Sequence, residues 1–194
     1  MAPDQLELPG LPSVAPEGFA CRADLISLQH EAALLLVFQD LPFRPFEFHG
    51  FEGKRRVVSF GFRYDCAASR LVAAPDIPDF LLPLRAAAAG FAGLTPDALR
   101  QALVTEYKPE AGIGWHRDRN EYGDVVGVSL ASHCRFLLRR QSGGKWQRHA
   151  VILEPRSAYI LRGAARSIWE HGIPPLTTLR YSVTFRSMGR WDTG

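Results

Sequence analysis

The chain has 194 residues, ample for one domain with a sizeable core and short for two. Its hydrophobic fraction of 46% and charged fraction of 22% are those of an ordinary globular protein. No apolar run approaches the roughly 18 residues of a membrane span, so no membrane partner is expected. The formal net charge of +3, from 23 basic and 20 acidic residues, is compatible with a polyanionic partner without demanding one. The N-terminus lacks a basic start followed by an apolar stretch, which makes the cytoplasm the expected location. Cys21, Cys66 and Cys134 are widely spaced, with no CxxC pair, and read as buried thiols in a reducing compartment.

In chain order, residues 1–18 carry Pro3, Pro9, Pro12 and Pro16 and read as an extended tail. Apolar residues at helical spacing predict a helix over Ala23–Phe38. The aromatic, proline-broken run 40–53, with Phe43, Phe46, Phe48 and Phe51, suits short strands and loops. Arg56–Tyr64 is strand-like, and Asp79–Phe91, with four successive alanines, predicts a helix ended by glycine. Thr95, Pro96 and Asp97 have the chemistry of a helix start: a capping hydroxyl, proline in the first turn and an acid at the positive end of the dipole. The texture then changes to short β-rich runs at Val104–Tyr107, Val125–Ala131, Cys134–Arg140, Gln147–Leu153, Ala158–Leu161 and Tyr181–Arg186. Strands separated by turns argue for a sandwich or barrel, with the first half of a single domain buttressing the second.

Positive charge gathers at Lys54, Arg55, Arg56 and Arg63, at Arg117 and Arg119, and at Arg135, Arg139, Arg140, Lys145 and Arg148. These are either solvated strand ends or a surface for phosphates.

His116 and Asp118 lie two apart in GWHRDR, so on an extended segment both project to one side while Arg117 points elsewhere. Alone, HxD is a weak signal. His171 in WEHGIPP supplies a third ligand from a distant strand, and two histidines with one carboxylate leave one side of an octahedral metal open, as non-haem Fe(II) oxygen chemistry needs. In RYSVTFR, Arg180, Ser182, Thr184 and Arg186 alternate with Tyr181, Val183 and Phe185. The polar side is either a solvated strand face or a barrel interior where the guanidinium groups need anionic partners, for which a dicarboxylate is suited. Trp115, beside His116, should face the opposite side and belong to a core.

Taken together and in order, YKPEAGIGWHRD, VVGVSL, EHGIPP and RYSVTFR, from about Val104 to Arg186, resemble the catalytic half of the AlkB-type Fe(II)/2-oxoglutarate dioxygenases. The resemblance implies an α+β fold whose core, about 104–187, is a double-stranded β-helix or jelly roll. N-terminal helices would buttress one sheet, and about 40–75 would supply a lid over the active site. It implies Fe(II), 2-oxoglutarate and O2 as cofactors, with His116, Asp118 and His171 as metal ligands. Arg180 and Tyr107 would hold the distal carboxylate, and Arg186 would sit at the keto-acid end. Thr105 and Ser182 stand where better-known members have asparagine, keeping a hydrogen-bonding group in a smaller volume. Arg55, Arg56, Phe51 and Asn120 are the expected substrate contacts. The substrate this implies is alkylated nucleic acid, single-stranded or with a flipped base, demethylated with release of formaldehyde by a monomer needing no obligate protein partner. Hydroxylation of a modified tRNA base or a protein side chain is the alternative, and a barrel without catalysis a third. Because Asp118 would face an open site, Asp118→Ala is expected to silence turnover and leave the fold intact.

Overall fold

The computed structural model describes residues 15–48, 51–65, 68 and 70–189, apart from the side chains of 47, 48, 51 and 52. Of the expected tail, only its last four residues are among them. In chain order the elements are β1 (Phe19–Arg22), α1 (Leu28–Phe38), β2 (Arg44–Phe48), β3 (Phe51–Phe60), β4 (Phe62–Asp65), β5 (Arg70–Ala73) and α2 (Leu82–Ala92). They continue as β6 (Leu99–Tyr107), β7 (Ile113–His116), β8 (Tyr122–Leu130), β9 (Cys134–Ser142), β10 (Lys145–Leu153), β11 (Ala158–Leu161), α3 (Gly163–Ser167), β12 (Glu170–Ile173) and β13 (Arg180–Met188). A seven-stranded sheet in the order β1-β11-β8-β13-β6-β3-β2 faces a four-stranded sheet in the order β10-β9-β12-β7, and β4 pairs with β5. This is the expected jelly roll.

The alternation along β13 decides which side of the large sheet does what. Tyr181, Val183 and Phe185 turn to the helix side, into a core with Leu34 and Phe38 of α1 and Leu84, Ala88 and Ala89 of α2. Each large apolar side chain buried there contributes about 1.5–3 kcal/mol, so the two helices are the buttress the sequence implied. Arg180, Ser182 and Thr184 turn the other way and are also buried, which excludes a solvated edge strand. A second core, with Phe136, Leu138, Tyr159, Leu161 and Trp169, fills the space between the sheets.

Several local expectations change. The first helix starts at Leu28, where the Ser27 hydroxyl accepts from the His30 amide. The residues before it include β1, paired with β11 along its whole length. The strand expected over Arg56–Tyr64 breaks at Gly61, whose φ of +75° and contact with the Arg100 carbonyl leave no room for a β-carbon. No α-helix begins at Thr95. Pro96–Ala98 makes one 3-10 turn, Thr95 makes no side-chain cap, and β6 begins at Leu99. With β13 on one side and β3 on the other, the two ladders of β6 outweigh a local start signal. Cys134 is buried as expected, but Cys21 is exposed on the edge strand, and Cys66 lies outside the described residues. Among the described residues no helix is long and apolar enough to cross a membrane.

Candidate metal and cosubstrate site

His116 closes β7, and antiparallel pairing with β12 sets His171 opposite it, with ring centroids 4.2 Å apart. Asp118 follows two residues on, its Oδ2 3.5 Å from His171 Nε2. One ligand atom from each of the three lies within 4.8 Å of the others. His116 Nδ1 is 2.9 Å from the Gly114 carbonyl. A carbonyl can only accept, so Nδ1 carries the proton and Nε2 keeps its lone pair.

The electrostatics favour this donor set. Burial pushes the His171 imidazole down to about 3, and His116 adds to that against the opposing pull of Asp118. Burial also lowers His116. Burial alone would raise the Asp118 carboxyl, but Arg186, then His171 and His116, hold it well below the usual carboxylate range. Two neutral imidazoles and one carboxylate result, which are the protonation states a divalent cation requires.

The inner side of β13 continues the site. Arg180 pairs in register with Tyr107 of β6, and Ser182 with Thr105. Arg180 is buried, its Nε donates to Ser129 Oγ at 3.0 Å, and its guanidinium carbon lies 5.1 Å from the Tyr107 ring centre. Its buried Nη1 has no hydrogen-bond partner among the described residues. A buried charged donor left unsatisfied is costly, and a ligand carboxylate would satisfy it. At the other end of the strand, Arg186 Nε and Nη2 reach Asp118 Oδ1 at 2.8 and 2.7 Å, and Nη1 reaches Gln101 Oε1 at 2.8 Å. The residues present fit both a divalent metal and a dicarboxylate between the two arginines.

Of the expected substrate contacts, Arg55 turns toward the site. Its guanidinium lies 3.8 Å from the Phe46 ring centre, and burial lowers its pKa against the influence of nearby Tyr107. Arg56 does not: on the opposite side of β3 it forms a fork with Glu106 at 2.8 and 2.8 Å, removing it from the site. Asn120 is exposed in the turn after Asp118, and the side chain of Phe51 lies outside the described residues. Trp115 is not core either. It faces away from the site as expected, but stands 38% exposed on the outer side of the small sheet.

The structure adds residues that sequence spacing did not reveal. Tyr159 of β11 is buried between the sheets with its ring centre 4.4 Å from that of Phe136, and burial followed by the nearby Asp118 charge raises its hydroxyl far up. A β-carbon at Gly127 would collide with that ring, which explains the glycine in VVGVSL. Arg166 of α3 donates to the backbone carbonyls of Asp118 (3.0 Å), Arg119, Tyr122 (2.8 Å) and Gly123 (3.0 Å), and so laces together the turn that carries Asp118. Four carbonyls around one guanidinium leave no trace in sequence spacing.

Residues 46–186 match the family model of the 2OG-Fe(II) oxygenase superfamily. The chain is 34% identical over 101 residues to an uncharacterized protein of Acanthamoeba polyphaga mimivirus, covering 45% of this chain and 48% of that protein. It is 28% identical over 146 residues to the Alkylated DNA repair protein ALKBH8 homolog of Arabidopsis thaliana, covering 62% of this chain and 42% of that one. The chain thus spans about half the length of the curated relatives it matches. Among solved structures, OsALKBH1 superposes with a TM-score of 0.71 at 18% identity, over 91% of this chain and 99% of that one. A prolyl-4-hydroxylase from Pseudomonas putida gives 0.64 at 13%, over 88% and 92%. At those identities the likeness is one of fold. The chain belongs to the 2OG-Fe(II) oxygenase superfamily, with AlkB-type proteins among its relatives, and is a dioxygenase domain whose cofactors are Fe(II), 2-oxoglutarate and O2.

Proposed function

We propose that His116, Asp118 and His171 hold the iron, that 2-oxoglutarate lies along β13, and that the domain demethylates N-alkylated bases in nucleic acid. The observation that carries the cosubstrate assignment is the buried Arg180 Nη1, without a partner among the described residues and beside the Tyr107 ring, with which Arg180 is in register. Arg180 and Tyr107 receive the distal carboxylate, with Ser182 and Thr105 offering hydroxyls to the chain between. Arg186 holds Asp118 in its ionised form and faces the keto-acid end. When bound, the iron and its cosubstrate supply the oxidant that hydroxylates a substrate C–H bond, and on an N-methyl group the product collapses to formaldehyde and the free amine. The protein's part is to keep both imidazoles neutral, fix the carboxylate and exclude water.

For the substrate, the supporting observation is Arg55. It is a cation laid on the Phe46 ring at the site, with no carboxylate partner among the described residues. That combination offers a base a surface and a phosphate a counter-charge. The relative named for repair of alkylated DNA favours the same class. In this reading the β2–β3 hairpin is the lid, and a base enters unpaired or flipped.

Two measurements test it. Anaerobic addition of Fe(II) and 2-oxoglutarate should give a weak visible charge-transfer band, and N-methylated single-stranded oligonucleotides should then release formaldehyde on admission of air. Succinate formed with a hydroxylated tRNA or protein and no formaldehyde would replace the demethylase reading with that of a hydroxylase.

Arg166→Ala is expected to free the turn carrying Asp118 and to weaken Fe(II) binding roughly 10–100-fold, the usual cost of losing a group that orients a ligand. Anaerobic calorimetry with Fe(II) reads this directly. Unchanged affinity would show that the turn holds Asp118 without the guanidinium.

A further inference from the structure

β7 puts His116 between the sheets and its neighbour Trp115 on the outer side of the small sheet, where the ring stands 38% exposed. On β10 of the same sheet, Trp146 is 43% exposed. Between them lies Arg139 of β9, its guanidinium carbon 4.3 Å from one indole centre and 4.4 Å from the other. Glu170 Oε2 fixes the arginine from β12 at 2.7 Å. Two tryptophans stacked on one arginine form a rigid row, held by cation–π attraction on one side while much of each indole remains in water.

The surroundings of this row are cationic. Register puts Arg148 opposite Arg139, and Arg135 opposite Ile152, on the same outer side. Arg135 and Arg148 are exposed, and Glu170, the acid that β12 presents on this side, is already committed to Arg139. Beside Trp115 opens a groove of about 460 Å³, with Ile113, Leu137 and Pro174 as apolar walls and Lys54 and Glu110 at its margin. Lys54 precedes Arg55, which turns to the metal site. Thus Lys54 of β3 and Trp115 of β7 line the groove while their neighbours Arg55 and His116 turn to the interior.

We propose that this outer side is a stacking platform for unpaired nucleotides flanking the one presented to the metal. Exposed indoles take up bases of any sequence, and arginines with no acidic partner among the described residues face the phosphates. Aromatic and arginine side chains also mark protein interfaces. Here the surplus of exposed arginine over acid, and the continuity of the groove with the strands that line the site, favour a polyanion. The proposal deepens the nucleic-acid reading above and rests on it.

The test uses the full chain and unmodified single-stranded dT and rU oligonucleotides, so that no chemistry is involved. Fluorescence anisotropy should show binding that weakens steeply with salt. Trp115→Ala and Trp146→Ala should each weaken it roughly ten- to a hundredfold, at unchanged circular dichroism, because both rings stand on the surface of the sheet. Trp146 lies on β10, three strands from β7, so its variant should also keep wild-type turnover of a free methylated nucleoside while its KM for a methylated oligonucleotide rises. Formaldehyde release with unchanged oligonucleotide affinity in the double variant would overturn the platform and leave the demethylase standing. Tryptophan-dependent binding without formaldehyde would do the reverse. Wild-type protein that binds neither oligonucleotide, or that binds only a protein partner there, overturns the platform.

Discussion

Asp118→Ala is expected to abolish 2-oxoglutarate turnover and, unlike the sequence-based expectation, to destabilise the fold as well. The carboxylate does not face open solvent. Its side chain is 6% exposed and accepts two hydrogen bonds from Arg186 on one oxygen, at 2.8 and 2.7 Å. Removing it leaves the Arg186 guanidinium buried with, among the described residues, only Gln101 to receive a bond. Breaking a buried pair by deleting one member costs about 3–5 kcal/mol, which for a chain of this length is a fall in Tm of roughly 6–20 °C. Differential scanning calorimetry of the metal-free protein separates this effect from the loss of a metal ligand. A variant that keeps its Tm would remove the Arg186 pair from the account, and one that keeps near wild-type turnover would remove Asp118 from the metal.

The same buried charges set an acid limit for the metal-free protein. His171 is held down at about 3 in the folded chain, whereas a histidine of the unfolded chain titrates at about 6.5. Between those pH values the unfolded state binds a proton that the folded state does not, so stability falls as the pH drops from 6.5 toward 3. Asp118, also depressed, contributes stability that is present above the ordinary carboxylate value of about 3.9 and is lost below it, in the same direction. Urea midpoints measured from pH 7 to pH 4 should therefore decline, and saturating Fe(II), which needs these groups unprotonated, should flatten the decline. A midpoint independent of pH in that window would show that His171 is not neutral and buried as described.

Period-2 patterning made the strand half of the fold legible, because half-buried strands must alternate. RYSVTFR announced both its sides, and the structure puts Tyr181, Val183 and Phe185 against the helices and Arg180, Ser182 and Thr184 between the sheets. That His116 and Asp118 would meet a later histidine was legible for a similar reason, since two side chains two residues apart need only a short extended segment to project to one side. What the sequence left hidden depended on non-local pairing. Thr95-Pro96-Asp97 has all the local marks of a helix start, yet β6 is claimed by strands on both sides. FACR is too short to declare itself a strand without β11 beside it. Trp115, on the side opposite His116, reads as core in the sequence, but no helix or strand among the described residues covers it, and it stands 38% exposed. Arg55 and Arg56 were indistinguishable as neighbours in a basic run. Only the pleat separates the one that turns to the site from the one paired with Glu106.

Arg180→Met is expected to stabilise the ligand-free protein while removing its response to 2-oxoglutarate. The wild-type guanidinium is fully buried, and Nη1 lacks a partner among the described residues, so its charge is desolvated with incomplete compensation. A shorter, apolar thioether chain fills most of the same space without that cost, a replacement that in buried ionic sites is neutral or stabilising by about 1–4 kcal/mol. With the cosubstrate the order reverses. A charge-assisted bond is worth about 1.5–3 kcal/mol, so loss of the guanidinium proposed to meet the distal carboxylate should raise the 2-oxoglutarate requirement roughly 10–100-fold. In anaerobic thermal melts with Fe(II), a ligand at a hundred times its Kd stabilises the wild type by about 2.7 kcal/mol, or a Tm shift of roughly 5–10 °C. The methionine variant should show almost none at the same concentration. A variant that melts lower than wild type without ligand would mean that the Ser129 bond outweighs the desolvation. One that keeps the full 2-oxoglutarate shift would place the dicarboxylate elsewhere than beside Arg180 and Tyr107.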